Sequence, residues 1–362
     1  NDANNVTYLT ETVTRGNLQK SVIASGTVRS YNRVEVGAQV SGKIEKIHVT
    51  LGQSINEGDL IAEIDSQTQV NNLNTVQAQL ASYQAQLKAR KVAYEVAKSS
   101  YNRISNLYAK KSASLDDLNT AKNSFAEAEA NIEETEALIK QSEIDVNTAK
   151  TNLGYTKIIS PISGTIISIP VSEGQTVNAN QTTPTIVQVA DLTKMLIKPE
   201  ISEGDVTKVK EGMQVKFTTL ADPDTTYNAT INSVDPAMTT LSDNEYAESV
   251  SDTNAIYFYA NIVVDNTDNK LRIGMTTQNT ITIADAKDTL LVPTMTLQKQ
   301  NNKIFVNVLN GDKVEQREVT VGLNDDVNTQ VLSGLNEGEK VISSQVASGE
   351  KVGGSVRGPR IF

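Results

Sequence analysis

The stretch DLIAEIDSQTQVNNLNTVQAQLASYQAQLKARKVAYEVAKSSYNRISNLYAKKSASLDDLNTAKNSFAEAEANIEETEALIKQSEIDVNTAKTNL, residues 59–153, holds neither glycine nor proline, in a chain with 20 glycines and 8 prolines. Those two residues punctuate regular structure, so the uninterrupted run reads as one long helical hairpin. Its first half carries a heptad. Leu73, Leu80, Leu87, Tyr94, Tyr101 and Tyr108 recur at one position, with Val76, Tyr83, Arg90, Ala97 and Ile104 following the first five at the other. That spacing is the a/d seam of a coiled coil, broken only by Arg90. The second half has its own register, Leu118, Phe125, Ile132, Ile139, Val146 and Leu153 against Ala121, Ala128, Thr135, Ser142 and Ala149. The second set is small, which leaves room for the tyrosines of the first half. The break between registers falls at Lys110 to Ala113.

Both helix starts are marked. Ser66 with Gln69 forms the pattern of a capping box, Ser114 with Asp117 a weaker version, and Gly154 stands where the second helix should close. A helix from Ser66 to Lys110 would be about 65 Å long at about 1.5 Å per residue, so the arm should project rather than pack.

Composition bounds the rest. With 362 residues, 38% apolar, and a net charge of −10, the chain reads as multi-domain α+β and not as disordered. The acidic balance, the absence of tryptophan and the lack of a basic patch argue against nucleic acid as a partner. Zero cysteines exclude disulfides and thiolate metal sites. No apolar run is long enough to span a bilayer. Residue 1 is not methionine, and the reading expects a signal or anchor upstream.

Flanking the hairpin is an internal repeat. Residues Ser41 to Asn56 match Ser163 to Asn178 at a constant offset without a gap, and half the positions are identical: the serine, both glycines, two isoleucines, one valine, the glutamine and the asparagine. Glycines at turns and β-branched residues on short strands are what such a half-motif needs. Two such halves resemble those of a biotinyl/lipoyl domain, a flattened β-sandwich with internal pseudo-two-fold symmetry. The modified lysine and its context are missing, and the hairpin occupies its place. No cofactor is therefore expected.

The remaining segments read as β-structure. Residues 6 to 14 and 18 to 28 alternate as short, isolated strands. Met195 to Pro199, Val215 to Phe217, Tyr227 to Val234, Ala255 to Val264 and Gln278 to Ile283 follow, with one short helix at Glu203 to Lys210. Lys303 to Leu309 and Val314 to Val321 form a hairpin through Asn310-Gly311-Asp312. An acidic loop, Leu241 to Asp252 with Asp243, Glu245, Glu248 and Asp252, fits no Ca²⁺ loop and reads as solvated. Residues 348 to 358 are rich in glycine and serine and should fray. The strands nest around the hairpin. A terminal β-domain takes 1–14 and 285–362, a β-barrel 15–33 and 191–284, a lipoyl-like domain 34–65 and 154–190, and the hairpin 66–153.

A helical hairpin between lipoyl halves, followed by a β-barrel and a membrane-proximal β-domain, resembles the periplasmic adaptors, or membrane fusion proteins, of tripartite efflux pumps. Ser160-Pro161-Ile162-Ser163-Gly164 with Ile166 and Gly174-Gln175-Thr176-Val177 carries the superfamily motif. The long hairpin, Asn178-Ala179-Asn180-Gln181 and Phe258-Tyr259-Ala260 point to the MacA branch. The resemblance implies a non-enzymatic subunit of the periplasm, held at the inner membrane by an N-terminal anchor missing from this chain. Its partners would be a MacB-type ABC transporter, a TolC-type outer-membrane channel and five further copies of itself in a hexamer. Macrolides or other cargo would be conducted. An adaptor of an RND pump or a type I secretion system is the alternative.

The resemblance also implies site residues. The tip motif Arg-x3-Leu-x6-Ser fits Arg103, Leu107 and Ser114, which would dock on the channel. Each has a second reading: Ser114 as an N-cap, Arg103 as partner of a nearby acid, Leu107 as packing beside the seam. Gln181 would contribute to a hydrogen-bonded gate ring, or simply be turn polarity. His48, the only histidine, sits at a strand position and does not read as a metal ligand or a base. No nucleotide loop, nucleophile elbow or metal motif is present.

Overall fold

The computed structural model describes residues 6–242 and 255–347; the acidic loop from Asp243 to Asp252 and the tail 348–358 lie outside them. The chain divides into two compact units, residues 32–192 and residues 1–31 with 193–362.

In the first unit the uninterrupted run is two helices, α1 (Gln67–Ala109) and α2 (Leu115–Gly154). The seam lies where the heptads put it. Ala128, Thr135, Ser142, Val146 and Ala149 of α2 are buried, the α1 positions from Leu73 to Ile104 are half-buried, and Arg90 points to solvent. The aromatic packing differs from the expectation of tyrosines over small residues. Tyr94 and Tyr101 both stack on Phe125, with centroids 5.4 and 5.6 Å away. Tyr108, at the end of its register, is 42% exposed.

The helix ends correct the sequence reading at three points. Ser66 makes no side-chain cap; the Asp65 carboxylate accepts from the Gln67 N–H instead, at 3.0 Å. The box read as weaker is the complete one. Ser114 Oγ accepts from Asp117 N–H at 3.0 Å, and the Asp117 carboxylate accepts from Ser114 N–H. Gly154 is the last residue of α2 rather than a left-handed cap after it, and Tyr155 takes the cap position in helical conformation.

The hairpin grows from a sandwich whose two halves exchange strands. Gly42 pairs with Val177 and Lys43 with Thr176; Gly164 pairs with Ile55 and Thr165 with Ser54. Each pair is the other carried across the repeat. The same exchange governs single bonds. Gly52 N–H donates to Ile166 O and Gly174 N–H to Ile44 O, at 2.8 and 2.7 Å. Ser41 Oγ accepts from Ala179 N–H and Ser163 Oγ from Glu57 N–H, at 2.8 and 2.9 Å. Gln53 and Gln175 each receive a turn N–H through the side-chain carbonyl, from Thr50 and Ser172. Gly52 and Gly174 take the same left-handed conformation, φ 86° and 87°. The identical serines, glycines and glutamines are thus one set of bonds used twice. Ile44, Ile61, Ile166 and Ile186 are fully buried between the halves.

In the second unit, the strand read at 6 to 14 is the short Val6–Thr12, and the one read at 18 to 28 is part of a longer strand; both pair with segments from late in the chain. Thr14–Gly37 is one long strand, and its first part pairs with Thr276–Pro293 from Thr14↔Leu291 to Thr27↔Thr276, with two bulges. Gln214–Thr219 pairs on the other side of Thr276–Pro293. Tyr257–Asp265 pairs with residues 194–202. Two further expectations shrink. Tyr227 to Val234 breaks into Tyr227–Thr230 and the start of Ser233–Met238, and the short helix is a single 3-10 turn, Val206–Lys208. Val6–Thr12 pairs with Lys340–Ala347. Lys303–Asn310 and Lys313–Asn324 form the expected hairpin with Gly311 at φ 63°. Val13, Val292, Val306, Val308, Val319, Val331, Leu335 and Val341 pack as the core of this end. Arg317 Nη1 spans both oxygens of Glu339, at 2.8 and 2.7 Å.

Candidate functional site: the hairpin tip and the repeat loop

At the tip, α1 stops without glycine. Lys111 takes the left-handed conformation, φ 61°; its N–H donates to Tyr108 O at 3.0 Å, and Ser112 N–H donates to Leu107 O at 2.7 Å. This pair of bonds is a Schellman motif with lysine where glycine is usual. The motif normally places an apolar residue at the Ser112 position, to cover the residue at the Leu107 position. Serine offers no such cover, and Leu107 remains 38% exposed.

Arg103 lies one turn before Leu107 on the same face of α1. It is exposed and makes no hydrogen bond or ion pair with any described residue. Of the sequence alternatives for Arg103, pairing with a nearby acid is thus not realised. Ser114 follows across the turn with its hydroxyl engaged in the cap. Lys110 and Lys111, both exposed, add positive charge between them. The left-handed Lys111 was invisible in the sequence, because nothing but glycine or asparagine announces that conformation.

Gln181 sits elsewhere, in the loop after the second repeat half. The loop is fixed at its base. Asn178 Oδ1 accepts from Asn180 N–H at 2.9 Å, and Ala38 N–H donates to Pro184 O at 3.0 Å. Thr183 crosses so close to Gly37 that a Cβ there would lie 2.3 Å from Thr183 Cγ2. Gln181 itself is exposed and its amide bonds to no described residue. A primary amide so placed can both donate and accept toward another molecule.

His48 Nε2 lies 3.1 Å from Glu63 Oε2. Among the described residues no three His, Asp or Glu side chains gather closely enough to hold a metal, and no helix is long and apolar enough to cross a membrane. Tyr259, from the branch-marking triplet, is buried, with the Arg29 guanidinium and the Lys198 ammonium 5.1 and 4.6 Å from its ring centroid.

The arm thus ends in an exposed guanidinium and leucine and is rooted in a two-fold sandwich. Residues 32–189 match a family model described as the RND MFP barrel-sandwich hybrid domain, 195–281 a YknX-like beta-barrel domain, and 288–348 the C-terminal permuted SH3 domain of RND MFPs. The chain belongs to the membrane fusion protein family, the adaptors of efflux pumps, and within it to the MacA branch. The crystal structure of MacA from Actinobacillus actinomycetemcomitans shares 59% identity and superposes with a TM-score of 0.85, over 93% of this chain and 100% of that one. A MacA–MexA chimeric protein containing the Pseudomonas aeruginosa MexA α-hairpin domain gives 46% identity and 0.67, over 91% and 99%. The Macrolide export protein MacA of Escherichia coli O157:H7 is 35% identical, over 95% of this chain and 90% of its own length. The Pyoverdine export membrane fusion protein PvdR of Pseudomonas putida is also 35% identical, over 94% and 90%.

Proposed function

We propose that this chain is the periplasmic adaptor of a tripartite pump. It joins a MacB-type ABC transporter of the inner membrane to a TolC-type outer-membrane channel, stimulates the transporter, and lines a path for macrolides or similar cargo. An anchor preceding the chain holds it at the inner membrane. The observation that carries this reading is the likeness to MacA over that protein's whole crystallised chain. We divide the chain for this work as its strands nest: hairpin 66–153, lipoyl-like 34–65 and 154–190, barrel 15–33 and 191–284, transporter-side domain 1–14 and 285–362.

A hexameric funnel follows the family pattern, and the hairpin's charges favour it. α1 carries five basic residues against one acidic, whereas α2 carries nine acidic against three basic. Along α1 a second heptad of exposed residues, Ala85, Ala89, Val92, Val96 and Ser99, leads to Arg103. A basic flank with an open seam and an acidic flank match side by side, and such head-to-tail contacts close into rings. Gln181 from each copy then faces the axis as a gate.

At the tip, Arg103 donates to carbonyls or carboxylates of the channel and Leu107 enters an apolar recess. In cells lacking the native adaptor, Arg103→Ala or Leu107→Ala should abolish efflux complementation while transporter binding and the melting curve stay unchanged. Cross-linking to the channel at wild-type level in both variants would overturn the docking role. The alternative engine, an RND pump, draws support from the description of the matching family models; co-purification with one transporter and not the other decides between them.

A further inference from the structure

Two large apolar side chains stand in solvent on adjacent turns of the terminal β-domain. Met295 is 72% exposed and Val327 68%. They come from separate segments, yet the Thr294 N–H donates to Val327 O at 2.9 Å, so the two turns run side by side. Both turns are braced from within. Asp325 Oδ1 accepts from the N–H of Val327 and of Asn328, at 2.7 and 2.6 Å, and Asp325 N–H donates to Asn328 O. Thr294 and Thr329 share a hydroxyl bond at 2.8 Å, and Thr296, buried, donates its hydroxyl to Pro293 O.

Single exposed apolar residues are ordinary on a surface. Two of them, presented together by turns that need no further ordering, are what a docking anchor requires, because little conformational freedom is lost on contact. The charge beside them selects the occupant. Asp326, exposed, adjoins Val327, and Asp325 lies one residue further back. A negative rim opposes an anionic lipid surface and complements a protein socket that is apolar at its floor and basic at its edge.

We propose that Met295 and Val327 form the anchor by which the terminal domain docks on the transporter, in a socket of that chemistry. The inference rests on the proposed function, since that reading assigns this domain to the transporter. The test uses the full-length adaptor and the detergent-solubilised transporter, with binding measured by surface plasmon resonance. The double variant Met295→Ser with Val327→Ser should bind at least tenfold more weakly. Leu332→Ser, at a residue 58% exposed on the neighbouring strand, should bind as wild type. Asp326→Lys should weaken binding several-fold at low salt and less at high salt. All three serine substitutions lie at exposed sites and should leave the melting temperature unchanged. Undiminished binding by the double variant, with wild type bound, overturns the anchor alone. Failure of wild type to bind the transporter overturns the proposed engine and this docking role with it. Flotation of wild type with anionic phosphatidylglycerol vesicles, lost in the double variant, overturns the protein socket in favour of a lipid surface.

Discussion

The rings of Tyr101 and Phe125 lie face to face, 2° from parallel with centroids 5.6 Å apart, and Tyr94 stacks on the same phenylalanine a helical step away. One α2 residue therefore holds two successive heptads of α1. Phe125→Ala should destabilise the hairpin by about 2 kcal/mol, from the two ring contacts and the lost burial. Phe125→Leu should cost about half as much. Thermal unfolding followed by helical circular dichroism measures both. Equal costs for Phe125→Ala and Phe125→Leu would deny the rings any special part.

The two serine starts should behave oppositely. Ser114 closes a reciprocal cap, so Ser114→Ala should cost about 1 kcal/mol. Ser66 has no cap bond to lose, and Ser66→Ala should fall within about 0.5 kcal/mol of wild type. Denaturant titration of the two variants side by side is sufficient.

Gly52 and Gly174 occupy equivalent left-handed turns with open space around them. Alanine at either should cost about the same, about 1 kcal/mol, because only the backbone conformation is penalised. Gly164→Ala should cost more, since its Cβ would lie 2.5 Å from Ala190 O, a backbone atom that cannot turn aside. Unequal effects of Gly52→Ala and Gly174→Ala would mean that the two-fold relation is only geometric.

Glu339 supplies an acid-sensitive term. Burial opposes its ionisation, but hydrogen bonds from Arg317 and from the Asn336 backbone outweigh it, and the carboxyl titrates below its ordinary value. A folded-state value below the unfolded one stabilises at pH above the ordinary glutamate range. That contribution is lost as pH falls through the depressed folded value. Glu339→Gln should therefore melt earlier than wild type at pH 7, by an amount corresponding to about 1 kcal/mol. The gap should narrow as pH falls below the ordinary glutamate range and close once the depressed folded value has been passed. A gap that does not narrow as pH falls would trace the loss to packing.

The hairpin and the repeat were legible because each is periodic: a heptad names its own buried face, and a repeat names its own partner. Capping was legible only in part. Ser66 and Ser114 have similar local patterns, and the difference is that Asp65, one residue earlier, takes the first free N–H of α1. Long strands were read as short ones, because Thr14–Gly37 contains Gly16 and Gly26, which look like punctuation. At Gly26 the glycine answers a crowding that sequence cannot display: a Cβ would lie 2.9 Å from Asn279 Nδ2 and Thr277 Oγ1. The candidate site residues came from the family motif alone, whereas the left-handed conformation of Lys111 at the end of α1 had no signal in the sequence.

The feet of the hairpin meet at the end of the ladder between Leu60–Ile64 and Lys157–Ile159. Asp65 precedes α1, Thr156 follows α2, and the Ile64 N–H donates to Thr156 O at 2.8 Å. Between that joint and the tip both helices follow a heptad, so reach is uncoupled from foundation. Seven residues inserted at equal height in both helices would lengthen the arm by about 10 Å while leaving the joint, the seam and the tip in register. The length of the arm can thus be set without altering its base.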